Sequence, residues 1–84
     1  IVCSGRLGEE VVEDTICAEY IKHKFVNPSS SFRLSNAQIS EKCRTSPSYK
    51  MLESAGLEND FNYCMNIDSH SLVPILKDDG FILI

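Results

Sequence analysis

The sequence predicts a mainly α fold, a small disulfide-stapled domain of three to four short helices with a short C-terminal β-hairpin. Three observations point there. Four cysteines, Cys3, Cys17, Cys43 and Cys64, stand in a chain of only 84 residues. Apolar residues recur at helical spacing after the first ten residues. Near the C-terminus an Asp79-Gly80 pair separates two short apolar runs, the pattern of a hairpin turn.

Residues 8–25 form the clearest helical stretch. Val12, Ile16, Tyr20 and Lys24 fall on one i, i+4 row, and Cys17, Ile21 and Phe25 fall on the row beside it. Glu10, Glu13, Asp14 and Lys22 turn mainly to water. Ser4 serves as an N-cap if the helix starts early, and Asn27-Pro28 ends it, because a residue before proline avoids the helical region. A serine loop follows. Ser35 and Gln38 have capping-box spacing and open a second helix, with Ala37, Ile39 and Cys43 on its buried side. Ser46-Pro47 opens a third, with proline at the first helical position. Gly56 stops it. A short fourth helix runs over 58–67 with Phe61, Cys64 and Met65 inward. The final stretch, 72–76 and then 81–84, reads as two strands, with Pro74 making the first an edge or irregular strand. A last helical turn over 69–77 is the competing expectation.

The chain is one domain, residues 1–84, disulfide-rich and with a marginal core for its size. Staples are the usual remedy. It begins at Ile1, which reads as a processed mature end with a targeting segment removed. Cysteine count and size together point to a secreted, extracellular protein. Separations between the cysteines contain no C-x-x-C pair, which argues against structural zinc and a redox motif. Of the three connectivities, Cys3–Cys43 with Cys17–Cys64 is favoured, since it ties the N-terminal arm to the second helix and the first helix to the fourth.

Charge is uneven. The chain carries 8 basic and 12 acidic residues, a net of −4. Residues 22–50 hold six of the basic residues and one acid, Glu41, giving +5. The remainder carries Arg6 and Lys77 against eleven acids, giving −9. The acidic total argues against a general nucleic-acid binder, whose affinity comes from neutralising phosphates. No apolar run approaches the roughly 20 residues of a membrane span. The basic middle is partly helix electrostatics and otherwise a docking face for an acidic partner, built on Lys22, Lys24, Arg33, Lys42 and Arg44.

Catalytic constellations are weak. Asp68-x-His70 flanked by Ser69 and Ser71 has triad residue types but no strained nucleophile turn. Asp78-Asp79 set up a turn more simply than a glycosidase pair. The sequence therefore predicts no enzyme, no metal and no cofactor. It predicts a secreted signal, pheromone, toxin or effector that binds a protein receptor or partner chain. The alternatives are a carrier of a small apolar ligand between helices, a membrane-active toxin, and a subunit of a larger processed complex. Phe81, Ile82, Leu83 and Ile84 offer an apolar surface for self-association.

Overall fold

A computed structural model describes all residues 1–84. In chain order the elements are α1 (Val12–Val26), α2 (Asn36–Cys43), α3 (Pro47–Ser54), α4 (Glu58–Cys64), β1 (Pro74–Lys77) and β2 (Gly80–Leu83). The strands form one antiparallel hairpin, with Ile75 opposite Ile82 and Leu76 opposite Phe81. Asp78-Asp79 make its turn. No helix is long and apolar enough to cross a membrane.

Local chemistry sets the helix starts. Ser35 accepts a hydrogen bond from the Gln38 amide, and the Gln38 side chain accepts one from the Ser35 amide, so the capping box closes. Ser46 caps α3 through the Ser48 amide, with Pro47 at its first position. At α1 the expected Ser4 cap is not made. The helix begins at Val12 behind Val11, without a side-chain cap. Ser4 instead bonds Asp14 of the first turn.

The core is small. Ile16 of α1, Ile39 and Cys43 of α2 and Phe61 of α4 are its buried hydrophobic members. Tyr49 of α3 meets the Phe61 ring edge-to-face at 4.7 Å between centroids. Tyr20, Phe32, Leu34, Leu52 and Met65 pack around the cluster. Of the expected α1 stripe only Ile16 is buried. Phe25, at the end of that stripe, remains 84% exposed.

The helices and hairpin are present, but the disulfide-stapled, disulfide-rich domain is overturned: all four cysteines are free thiols. The physical reason lies in where each sulfur sits. Cys43 is buried in the core, where a thiol packs as a small hydrophobe. Cys3 is exposed on the N-terminal loop, its Sγ 3.6 Å from the Asp14 carbonyl oxygen. Cys17 and Cys64 are exposed and line an open apolar groove between α1 and the end of α4. Of the three cysteines that helical periodicity predicts on apolar faces, only Cys43 is buried, while Cys17 and Cys64, the latter expected inward, are exposed, and a shared apolar face does not make a bond.

Because so few side chains close the core, each matters. Phe61→Ala is expected to cost about 3 kcal/mol, the usual scale for emptying a buried aromatic site. Tyr63→Ala, at an exposed position of the same helix, should stay within about 0.5 kcal/mol. Urea unfolding followed by far-UV circular dichroism separates the two.

Candidate functional site

The segment before α1 is held by its own backbone hydrogen bonds and by one side chain of the helix. Arg6 and Glu9 exchange both backbone hydrogen bonds, at 2.9 and 3.0 Å, around Leu7 and Gly8. Both central residues have positive φ, 52° and 80°, the signature of a primed turn that favours glycine. Leu7 holds this conformation while 91% exposed, so its side chain gains no burial in return for the strain. Gly5 also lies in the left-handed region, at φ 68°, and a Cβ there would sit 2.5 Å from the Glu9 carbonyl oxygen. Only glycine fits.

Asp14 ties this loop to the helix. Its Oδ2 accepts from the Gly5 amide at 2.7 Å and from the Ser4 hydroxyl at 3.2 Å. These are charge-assisted bonds, the stronger kind. The result is a cleft of about 490 Å³ bounded by Val2, Ser4, Gly5, Gly8, Glu9 and Thr15. Arg6 is half-buried but does not line this cleft, and its guanidinium makes only a long contact, 3.8 Å, to the Met51 sulfur of α3. An uncapped helix start favours anions. Here Glu9, Glu10, Glu13 and Asp14 oppose that preference, so bound phosphate needs positive charge beyond Arg6 alone. Within the chain no group of three or more His, Cys, Asp or Glu side chains is placed to hold a metal ion.

Glu13 faces the other way. One of its carboxylate oxygens is buried without a hydrogen-bond partner. Burial pushes the Cys43 thiol up from its ordinary value of 9.0, and the nearby Glu13 charge and Cys17 push it further. Cys43 therefore stays protonated where a free thiol ionises, and thiolate is the reactive form.

The predicted docking residues do not gather at this loop. Lys22 and Arg33 line a separate cleft of about 400 Å³ with His23 and Phe32. Arg33 is paired with Glu19. Lys24 lies 3.9 Å from Asp68 and 5.2 Å from the Tyr20 ring centroid. Arg44 lies over the Phe61 ring. Lys42 is exposed in the last turn of α2. Nor does a triad form at His70. Ser69 meets its Nδ1 at 2.9 Å, but Asp68 is taken by the Tyr20 hydroxyl at 3.0 Å.

Comparison with known proteins settles what kind of chain this is. The family model described as 2-phosphosulpholactate phosphatase matches residues 1–79. The chain belongs to that family. A probable 2-phosphosulfolactate phosphatase of Pseudothermotoga lettingae is 30% identical over 98% of this chain and 41% of its own length. One from Clostridium beijerinckii is 27% identical over 93% of this chain and 38% of its own length. One from Clostridium botulinum strain Eklund 17B is 29% identical over 98% and 40%. The chain thus spans about two fifths of the length of the curated relatives it matches. No solved structure matches.

The family overturns the expectation of a receptor-binding signal, pheromone or toxin, its carrier, membrane-toxin and processed-complex alternatives, and the expectation of no enzyme. The elimination failed because it searched for a complete constellation in a chain that covers only part of an enzyme family's length. A pattern that the search for a complete constellation passes over is Ser4-Gly5-Arg6-Leu7-Gly8-Glu9. Two glycines in a polar loop that feeds a helix start are a phosphate-chemistry pattern, although a weak one.

Two outcomes test the loop and its neighbour. In Gly5→Ala the Arg6 amide should lose its protection from hydrogen exchange, because the Cβ evicts the Glu9 carbonyl that this amide bonds. Gly8→Ala, which meets open space, should keep it. For Cys43, the native thiol holds its proton as pH rises past 9.0 while the unfolded thiol loses it. Its stabilising contribution is whole below that pH and is lost as pH climbs through the raised native value. Urea midpoints taken from pH 7 to 10.5 should fall more steeply in the parent than in Cys43→Ala.

Proposed function

We propose that this chain forms part of a phosphate-monoester hydrolase acting on a phosphorylated, sulfonated hydroxy acid, the substrate class in the name its relatives carry. The observation behind it is the family match across residues 1–79. In the reaction the oxygen of water bonds to phosphorus and the phosphorus–oxygen ester bond breaks. The leaving oxygen takes a proton, and inorganic phosphate and the hydroxy acid depart.

The N-terminal loop is the part of this chain that we place at the reacting phosphate. Arg6 follows Gly5 of the cleft in sequence, and its guanidinium, paired with no carboxylate and held only by a long contact to the Met51 sulfur, is suited to bidentate phosphate binding once it turns to the cleft. The Leu7 and Gly8 amides make no backbone hydrogen bond inside the chain and are donors for a phosphate oxygen. Glu9 and Glu10, both exposed, can orient the attacking water as general bases. Asp14 is a positioning residue, since it holds Ser4 and Gly5 rather than facing the cleft alone. The remaining positive charge for so anionic a substrate comes from outside these residues.

The test is a chimera in which residues 1–79 replace the matched segment of the Pseudothermotoga lettingae relative. It should release inorganic phosphate from 2-phosphosulfolactate. Arg6→Ala should raise KM, and Asp14→Ala should lower kcat at least about 100-fold, the scale on which a misplaced catalytic loop acts. A folded chimera without phosphate release would sink the proposal.

A further inference from the structure

The hairpin carries a separate set of observations. A folded monomer of 84 residues exposes about 5,000 Å². This chain exposes 6741 Å². The excess, about 1,700 Å², is roughly twice the 800 Å² that a standard protein–protein interface buries on each partner, and matches one side of a large interface. The radius of gyration is likewise large, at 14.6 Å against about 12 Å for a compact chain of this length. Sixteen large hydrophobic residues are exposed, and they are densest at the C-terminus. Leu76, Phe81, Ile82 and Leu83 leave both faces of the hairpin apolar and uncovered. Strands apolar on both faces belong to sheets covered on both sides, and a lone two-stranded hairpin is only marginally stable.

The hydrogen-bond pattern selects an edge. Val73 and Ile84 exchange both backbone bonds. In an antiparallel ladder such pairs alternate with unbonded ones. The register pairs Pro74 with Leu83, Ile75 with Ile82 and Leu76 with Phe81. Ile75 and Ile82 are therefore the next bonded pair, and the amides of Phe81 and Leu83 face outward from β2. On β1 the outward positions are Leu76 and Pro74, and proline has no N–H. The outer edge of β1 is blunted, while β2 presents a full row of donors.

We propose that the outer edge of β2 takes an added strand from the segment that the family relatives carry beyond the matched region, and that this segment covers the hairpin's apolar faces. The occupant follows from two quantities that agree. The chain spans only 38–41% of those relatives, and its uncovered surface is what one large interface removes. The inference rests on membership of the family and not on the phosphatase chemistry.

The experiment co-expresses residues 1–84 with the unmatched part of the Pseudothermotoga lettingae relative. A second form tethers the two through a flexible linker, so that solubility of the separate segment does not decide the result. A 1:1 complex is expected, in which exchange of the Phe81 and Leu83 amides slows about 100-fold while the Leu76 amide is unchanged. Phe81→Pro removes one outward donor without touching the inner ladder, and should weaken association at least about tenfold beyond Phe81→Ala, which loses the ring but keeps the donor. Leu76→Pro should associate within about twofold of Leu76→Ala, since both lose the same apolar side chain and the proline alters only the blunted edge. The proposal is overturned if the tethered protein leaves Phe81 and Leu83 exchanging freely, or if Phe81→Pro is no more damaging than Phe81→Ala. It is also overturned if residues 1–84 protect those amides alone, as a dimer of two copies. Protected amides without phosphate release would leave the edge standing and remove the functional proposal instead.

Discussion

Ile16, Ile39, Cys43 and Phe61 meet at one point, and the helices of this chain are held together there. Ile16 brings α1 against α2, and Phe61 brings α4, with Tyr49 of α3 stacked on its edge. No side chain in the chain is completely buried. Full burial of one such side chain contributes roughly 1.5–3 kcal/mol. Ordering the backbone costs about 1–2 kcal/mol for every residue. So small a cluster fixes the order of the helices but leaves little margin, and the placement of everything else depends on it.

The N-terminal loop inherits its geometry from that cluster through a single helical turn. Asp14 precedes Ile16 by two residues, so it leaves α1 on a different side and reaches back to Gly5 and Ser4. Glu13 leaves near the core, where its charge helps keep the Cys43 thiol protonated. Adjacent carboxylates thus have different surroundings. One is exhausted by local donors, and the other has a buried oxygen with no donor at all. A buried acceptor without a partner is uncommon in a finished structure.

Features encoded within four residues were legible in the sequence. Ser35 with Gln38, and Ser46 with Pro47, start helices where their spacing indicates, because capping is a local bond between a side chain and the next turn. The hairpin also forms between the two apolar runs, but its turn is Asp78-Asp79, one residue earlier than the expected Asp79-Gly80, and Gly80 opens β2. Phe25, Ile21 and the C-terminal Ile82 were not legible, because periodicity reports which residues prefer to be covered and says nothing of what covers them. The loop at Gly5 was hidden differently. Its meaning depends on Asp14, nine residues away and on the next element, and on two left-handed glycines that sequence alone leaves open.

The cysteines show how the two kinds of evidence part. Four thiols in a small chain suggested staples because a domain of this size needs help from somewhere. That need is real: the exposed surface is about 1,700 Å² larger than a compact chain of this length would show. The expected remedy is absent, since all four thiols are free, and the cover proposed for the hairpin is another. A chain whose relatives extend well beyond the matched region can leave apolar strands and a helix face for the rest of the fold to bury. Sulfur then packs as an ordinary small hydrophobe in Cys43 and lines open surface in Cys17 and Cys64. The same count of cysteines that looks like a scaffold in a self-sufficient domain carries no such meaning where free thiols line open apolar surface.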